Sequence, residues 1–172
     1  IETMHGNHSL LPNETLAKVM HANLSRVGGY AMNQSEIQFA ETIQSSFSGR
    51  ESLLGLERQV LPLQLEHGNG STDVGDVSWT VPTAGMSSAT WVPGTSAHSW
   101  QAIAAGGTSI GAKGMLVAAK TLALTAMDVI NRPQLSATAL DEFNDRRGKD
   151  FQYEALLGDR APPLGYRLTG KP

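Results

Sequence analysis

Met86-Ser87-Ser88-Ala89-Thr90-Trp91-Val92 alternates small and apolar residues between Gly85 and Pro93, and its reading decides the fold. Alternation at period two suits a strand lying in a sheet. Such a strand would end at Pro93 and deliver the loop Gly94-Thr95-Ser96-Ala97-His98-Ser99 to the end of that sheet. Further on, Thr108 or Ser109 can cap a long helix over Ile110 to Ile130, whose Gly111, Gly114, Ala118 and Ala119 are small enough to pack closely on a sheet. That helix is apolar nearly all round, which predicts burial. The expected class is therefore α/β, a small sheet packed by helices and including a long buried Gly/Ala-rich helix.

Working outward, Ile1 to Leu11 reads as an extended strand that stops at Pro12, because proline biases the preceding residue away from helix. Asn13 is placed to cap a helix in which Leu16, Val19, Met20, Leu24 and Val27 recur at helical spacing before Gly28-Gly29. Ser35 can cap a second helix, with Glu36 in its first turn, Ile37, Ala40, Ile43 and Phe47 on its apolar stripe and Gly49 beyond its end. From Arg50 to Val92 the pattern is loop and strand, with short apolar pieces at Val60 to Leu65 and Val77 to Val81. After Pro133, Ser136 is the expected cap of a last helix with Leu140 and Phe143 facing inward, and Phe151, Tyr153, Leu156 and Leu157 can pin an extended tail.

Composition narrows the function. The chain has 172 residues, enough for one domain with a sizeable core, and a net charge of -3. That charge argues against a nucleic-acid partner, which calls for a concentrated basic face. Arg146, Arg147 and Lys149 are interleaved with Asp141, Glu142, Asp145 and Asp150, the pattern of a solvated helix face. The absence of cysteine excludes disulfides, thiolate metal sites and cysteine nucleophiles, and fits a cytoplasmic location. Nothing near Ile1 resembles a signal peptide. Lys113, Lys120 and Asp128 interrupt the apolar run of the long helix at intervals a bilayer penalises, so no membrane partner is expected.

Two polar constellations stand out. The turn Gly70-Ser71-Thr72-Asp73-Val74-Gly75-Asp76-Val77-Ser78 can present backbone amides to an anion while its carboxylates orient neighbours. His98, in a small-residue loop, is placed as a ligand or catalyst, or as an imidazole bonding a backbone carbonyl. His5 and His8 form an H-x-x-H whose odd spacing on a strand sends them to opposite faces, and His21 and His67 read as surface residues. Gly106 to Gly114 opens a helix as a phosphate loop does, but Gly114 follows Lys113 where a magnesium-binding hydroxyl should stand.

The run Gly70 to Ser78, the small-residue segment after it, the His98 loop, the Gly/Ala helix and the Leu11-Pro12-Asn13 junction together resemble the C-terminal part of the zinc aminoacylase and carboxypeptidase family (peptidase family M-twenty), in its aminobenzoyl-glutamate-cleaving branch. The resemblance runs from Leu10 to about Asn131. It implies that residues 1–12 end an inserted lid domain and that 13–172 form the C-terminal part of a split catalytic domain. His98 matches the last zinc ligand, and Ser71, Thr72 and Asp73 fall where that family places a substrate-facing turn. The implied reaction is hydrolysis of the amide of a small N-acyl or N-aroyl amino acid by water bridging two zinc ions. The general base and the remaining ligands would lie in a missing N-terminal half, so this chain alone is expected to be inactive and to bind zinc weakly. Half of a split domain leaves apolar faces uncovered, and a homo-oligomer is expected. The rival expectation is a non-catalytic binding or assembly module of the same shape, using the Gly70 to Asp76 turn for an anionic ligand. A third is a phosphate site at the start of the long helix.

Overall fold

The computed structural model describes residues 5–47, 52–68, 70–158, 161 and 164–165. Among them lie six α-helices: α1 (Glu14–Val27), α2 (Gln34–Gln44), α3 (Val74–Ser78), α4 (Trp100–Gly106), α5 (Ser109–Asn131) and α6 (Pro133–Arg147). A 3₁₀ turn spans Leu56–Arg58. No strand or sheet is present among the described residues, which corrects the α/β expectation. The physical reason is pairing, since a strand exists only where a second strand takes up its N–H and C=O groups. Met86 to Val92 lies without a ladder partner. Its Ala89 carbonyl instead accepts a hydrogen bond from the Tyr30 hydroxyl at 2.8 Å. Val77 and Ser78, expected in a short strand, end the single helical turn of α3.

Helix starts follow local chemistry. Asn13 caps α1 by accepting from Leu16 N at 3.0 Å, and Gly28, at φ 72, ends it. In α2 the cap is Asn33, not Ser35: its side chain accepts from Glu36 N, and the Glu36 carboxylate answers from Asn33 N, a reciprocal capping box. The expected Gly49 terminator falls outside the described residues. Thr108 caps α5. In α6 the helix starts three residues before Ser136, with Pro133 in its first turn, and the inward residues are Ala139 and Phe143 while Leu140 is exposed.

The core sits where α2, the ends of α4 and α5, and the Val92 segment meet, around Met32, Ala40, Ile43, Val92, Ala105 and Ile110. Along the rest of its length α5 packs on α1 and α6. Gly114 allows the Met86 to Val92 segment to lie directly on α5, because a methyl there would run into the Ala89 carbonyl. The close approach expected of the small residues is therefore present, but onto a lone extended segment. The expected burial of α5 is also corrected. It is long and apolar enough to cross a membrane by length and composition, yet only 28% of its apolar window is covered. Its inward positions include Gly111, Gly114, Thr121 and Thr125, while Met115, Leu116, Leu122, Met127 and Ile130 face outward.

Candidate functional site

The Gly70 to Ser78 turn is held by two distant pieces of chain, the stretch from Asn7 to Leu11 and the tail around Tyr153. Gly75 sits against the backbone of His8, whose carbonyl a side chain at position 75 would strike. The Ser78 hydroxyl is fully buried; it donates to Gly75 O at 2.5 Å and accepts from Leu11 N at 2.8 Å. The Trp79 indole donates to Ser9 O at 2.7 Å. Around it gathers an aromatic cluster: Trp79 and Phe151 at 4.5 Å between centroids, with His8 within about 6 Å of Trp79, Phe151 and Tyr153. His8 is thus part of this packing, and its Nε2 lies 3.1 Å from Glu154 O. The tail is pinned here too, with Gly6 N donating to Leu156 O at 2.9 Å.

The candidate substrate residues sit on the outer rim of this scaffold. Ser71, Thr72 and Asp73 are all exposed. Ser71 accepts from Asn7 Nδ2 at 3.2 Å, and Thr72 Oγ1 accepts from Val74 N at 3.3 Å, so both hydroxyls are oriented from within the turn region. Asp73 stands immediately before α3. Asp76 accepts from the Tyr153 hydroxyl at 3.1 Å; partial desolvation, that hydrogen bond and the carboxylate charge all raise the phenol pKa.

His98 occupies a different surrounding. Its loop precedes α4, whose cap Ser99 accepts from Ala102 N, and Gln101 ties α4 to Ser46 beyond α2. His98 itself is exposed, its ring makes no hydrogen bond among the described residues, and its φ is 57. A left-handed backbone at a residue other than glycine costs roughly 1–2 kcal/mol, the kind of strain that clusters at ligand-holding positions. No hydrogen bond or ion pair joins His98 to Ser71, Thr72 or Asp73. Among the described residues no three His, Cys, Asp or Glu side chains are grouped to hold a metal, so these residues do not fit a zinc centre on their own.

Three features escaped the sequence reading. The first lies at the start of α5, where Glu36, buried, accepts from Ser109 Oγ at 2.6 Å and Lys113 Nζ at 2.5 Å. The Lys113 hydrogen bond leads the groups that hold its carboxyl down at about 2. The helix start proposed for phosphate is therefore faced by the protein's own carboxylate. The second is Glu142 on α6, which accepts from Glu14 N at 2.7 Å and Thr15 N at 2.9 Å and so caps α1 across the molecule. Burial raises its pKa, but the hydrogen bonds from Thr15 and Glu14 and the Arg146 charge outweigh it and bring the value to about 2. Arg146 joins Glu142 to Glu14, so this part of the basic cluster is a structural clamp, not merely a solvated face. The third is a groove of about 870 Å³ between α1, the Leu61 to Gln64 segment and the Met86 to Thr95 segment. His21, expected on the surface, lines it and pairs with Leu61 O at 2.9 Å. The groove reaches Gly94 and Thr95 but includes neither His98 nor the Ser71 to Asp73 rim.

No family model matches the chain, and no solved structure matches it. Among curated proteins it is 36% identical over 146 residues to one of the subunits of p-aminobenzoyl-glutamate hydrolase of Escherichia coli (strain K12), a match covering 70% of this chain and 30% of that protein. The chain thus spans about 30% of the length of the curated relative it matches. Its similarity is to part of an amidohydrolase, and the chain is a relative of that hydrolase.

Proposed function

We propose that this chain is the C-terminal part of a metal-dependent amidohydrolase that cleaves the amide of an N-acyl or N-aroyl amino acid, with aminobenzoyl-glutamate as the nearest model substrate. The observation that carries the reading is the 36% identity to the Escherichia coli hydrolase. The strained, exposed and unbonded His98 supports it as a single imidazole ligand to zinc, in a site completed by residues outside this chain. Bound zinc in such enzymes polarises the scissile carbonyl and activates water. The part assigned to this chain is narrower. His98 offers one ring nitrogen, while Ser71, Thr72 and Asp73 form a polar wall for the substrate, oriented by Asn7 and by the turn itself. The general base is assigned to the remainder of the enzyme, and the 172 residues alone are inactive.

The test is a chimera in which this chain replaces the matched segment of the Escherichia coli relative. It should hydrolyse p-aminobenzoyl-glutamate, and His98→Ala should lower kcat by more than the roughly 10–100-fold that losing an outer-shell partner costs. Ser71→Ala and Asp73→Asn should act mainly on KM. Turnover, or tight zinc binding, by the isolated chain would contradict the division of labour. A chimera that folds but is inert, with an anion bound at the Gly70 to Asp76 turn, would favour a binding or assembly module.

A further inference from the structure

The outward face of α5 turns an aliphatic stripe to water. Ala112, Ala119 and Ala126 recur every seventh residue on that face, with Ala123 beside them. Met115 and Leu122 form one flank and Leu116 and Met127 the other, and Ile130, 76% exposed, closes the end. At about 100° per residue these positions share one side of the helix and form a shallow trough about 27 Å long, bordered by a single charge, Lys120. The opposite side, already covered, is the more polar one. Thr121 and Thr125 lie there with their hydroxyls spent on the Val117 and Thr121 carbonyls, and Asn23 reaches Asp128 at 2.7 Å. A helix that buries its hydroxyls and exposes its aliphatic stripe is oriented for a second packing partner.

Magnitude selects the occupant. An antiparallel pair of α5 helices would cover a strip about 27 Å by about 10 Å, well short of the roughly 800 Å² per partner of a stable interface. Exposed apolar side chains are also not confined to α5, since Trp100 and Ile103 of α4 and Val74 and Val77 of α3 are exposed as well. A large cover is required, and the curated relative has chain enough to supply one, since the greater part of its length is not matched by this chain. The lone extended segment Met86 to Val92, without ladder partners, asks for the same thing.

We propose that the outward stripe of α5 is the docking seam for the remainder of the hydrolase polypeptide, which meets it with a low-charge apolar face close enough to touch Ala112, Ala119, Ala123 and Ala126. This rests on the reading of the chain as part of a hydrolase. The chain contains no cysteine, so Ala119→Cys places a unique thiol within it. Maleimide labelling, located by peptide mass, is compared in the isolated chain and in the chimera, with Glu41→Cys on the exposed side of α2 as reference. Labelling at position 119 should be fast in the isolated chain and at least about tenfold slower in the chimera, while position 41 labels equally in both. Equal labelling at 119 in both proteins overturns the seam. So does protection in the isolated chain that grows with concentration alongside dimerisation by light scattering, which would make a second copy the occupant. An insoluble chimera beside a soluble, monomeric isolated chain overturns it as well. Protection at 119 in a chimera without amidase activity keeps the seam and rejects the hydrolase reading; activity with 119 unprotected does the reverse.

Discussion

Glu36 shows how one side chain settles what a helix start can do. Its carboxylate closes the capping box of α2 and at the same time satisfies Ser109 and Lys113 at the start of α5, filling the place an external anion would take. Lys113→Met should leave that buried charge unpaired and cost about 3 kcal/mol in urea unfolding, the low end for a buried pair because the lysine is partly exposed. Adding Glu36→Gln should recover part of the loss. Glu142→Gln removes a bidentate cap and should destabilise by about 1–2 kcal/mol, read by the same measurement. Neither role was legible beforehand. Glu36 could be placed in a first turn, but its partners at 109 and 113 and the targets of Glu142 at 14 and 15 lie far away in sequence.

At the scale of elements, caps and terminators were readable and orientation was not. Asn13, Gly28 and Thr108 act within a few residues of themselves, and all three do what their chemistry predicts. Ser35 lost to Asn33 because only the residue three before Glu36 can complete a reciprocal box. Helix α5 gave no direction, since a helix apolar nearly all round has no favoured face in its own sequence. Its two sides should now respond oppositely to substitution. Gly114→Ala drives a methyl into the Ala89 carbonyl and should destabilise the chain, with a lowered urea midpoint. Leu122→Lys on the outward side should leave the far-UV circular dichroism unchanged, shift stability by no more than about 0.5 kcal/mol and raise the solubility of the isolated chain.

For the whole molecule, acid should be the sensitive direction. The folded-state carboxyls of Glu36 and Glu142 sit at about 2 against an ordinary 4.5. Depressed values mean that the stability they contribute is fully present above about 4.5 and is lost as pH falls through that range toward 2. Urea midpoints measured across that window should fall, and fall less steeply in the Glu36→Gln, Lys113→Met double variant. The candidate site was legible as residue types: a glycine-bounded polar turn and a histidine in a small-residue loop are both visible in one dimension. Their surroundings were not, because Asn7, His8 and Tyr153 reach the turn from the two ends of the chain. The sequence by itself determined where α1 and α5 begin and end, since capping is a matter of hydrogen bonds across three or four residues, and it carries the likeness to a hydrolase. Only the tertiary structure decided that Met86 to Val92 has no strand to pair with among the described residues and that α5 turns its aliphatic stripe outward. Both depend on which distant groups are present to satisfy a backbone edge or cover an apolar face.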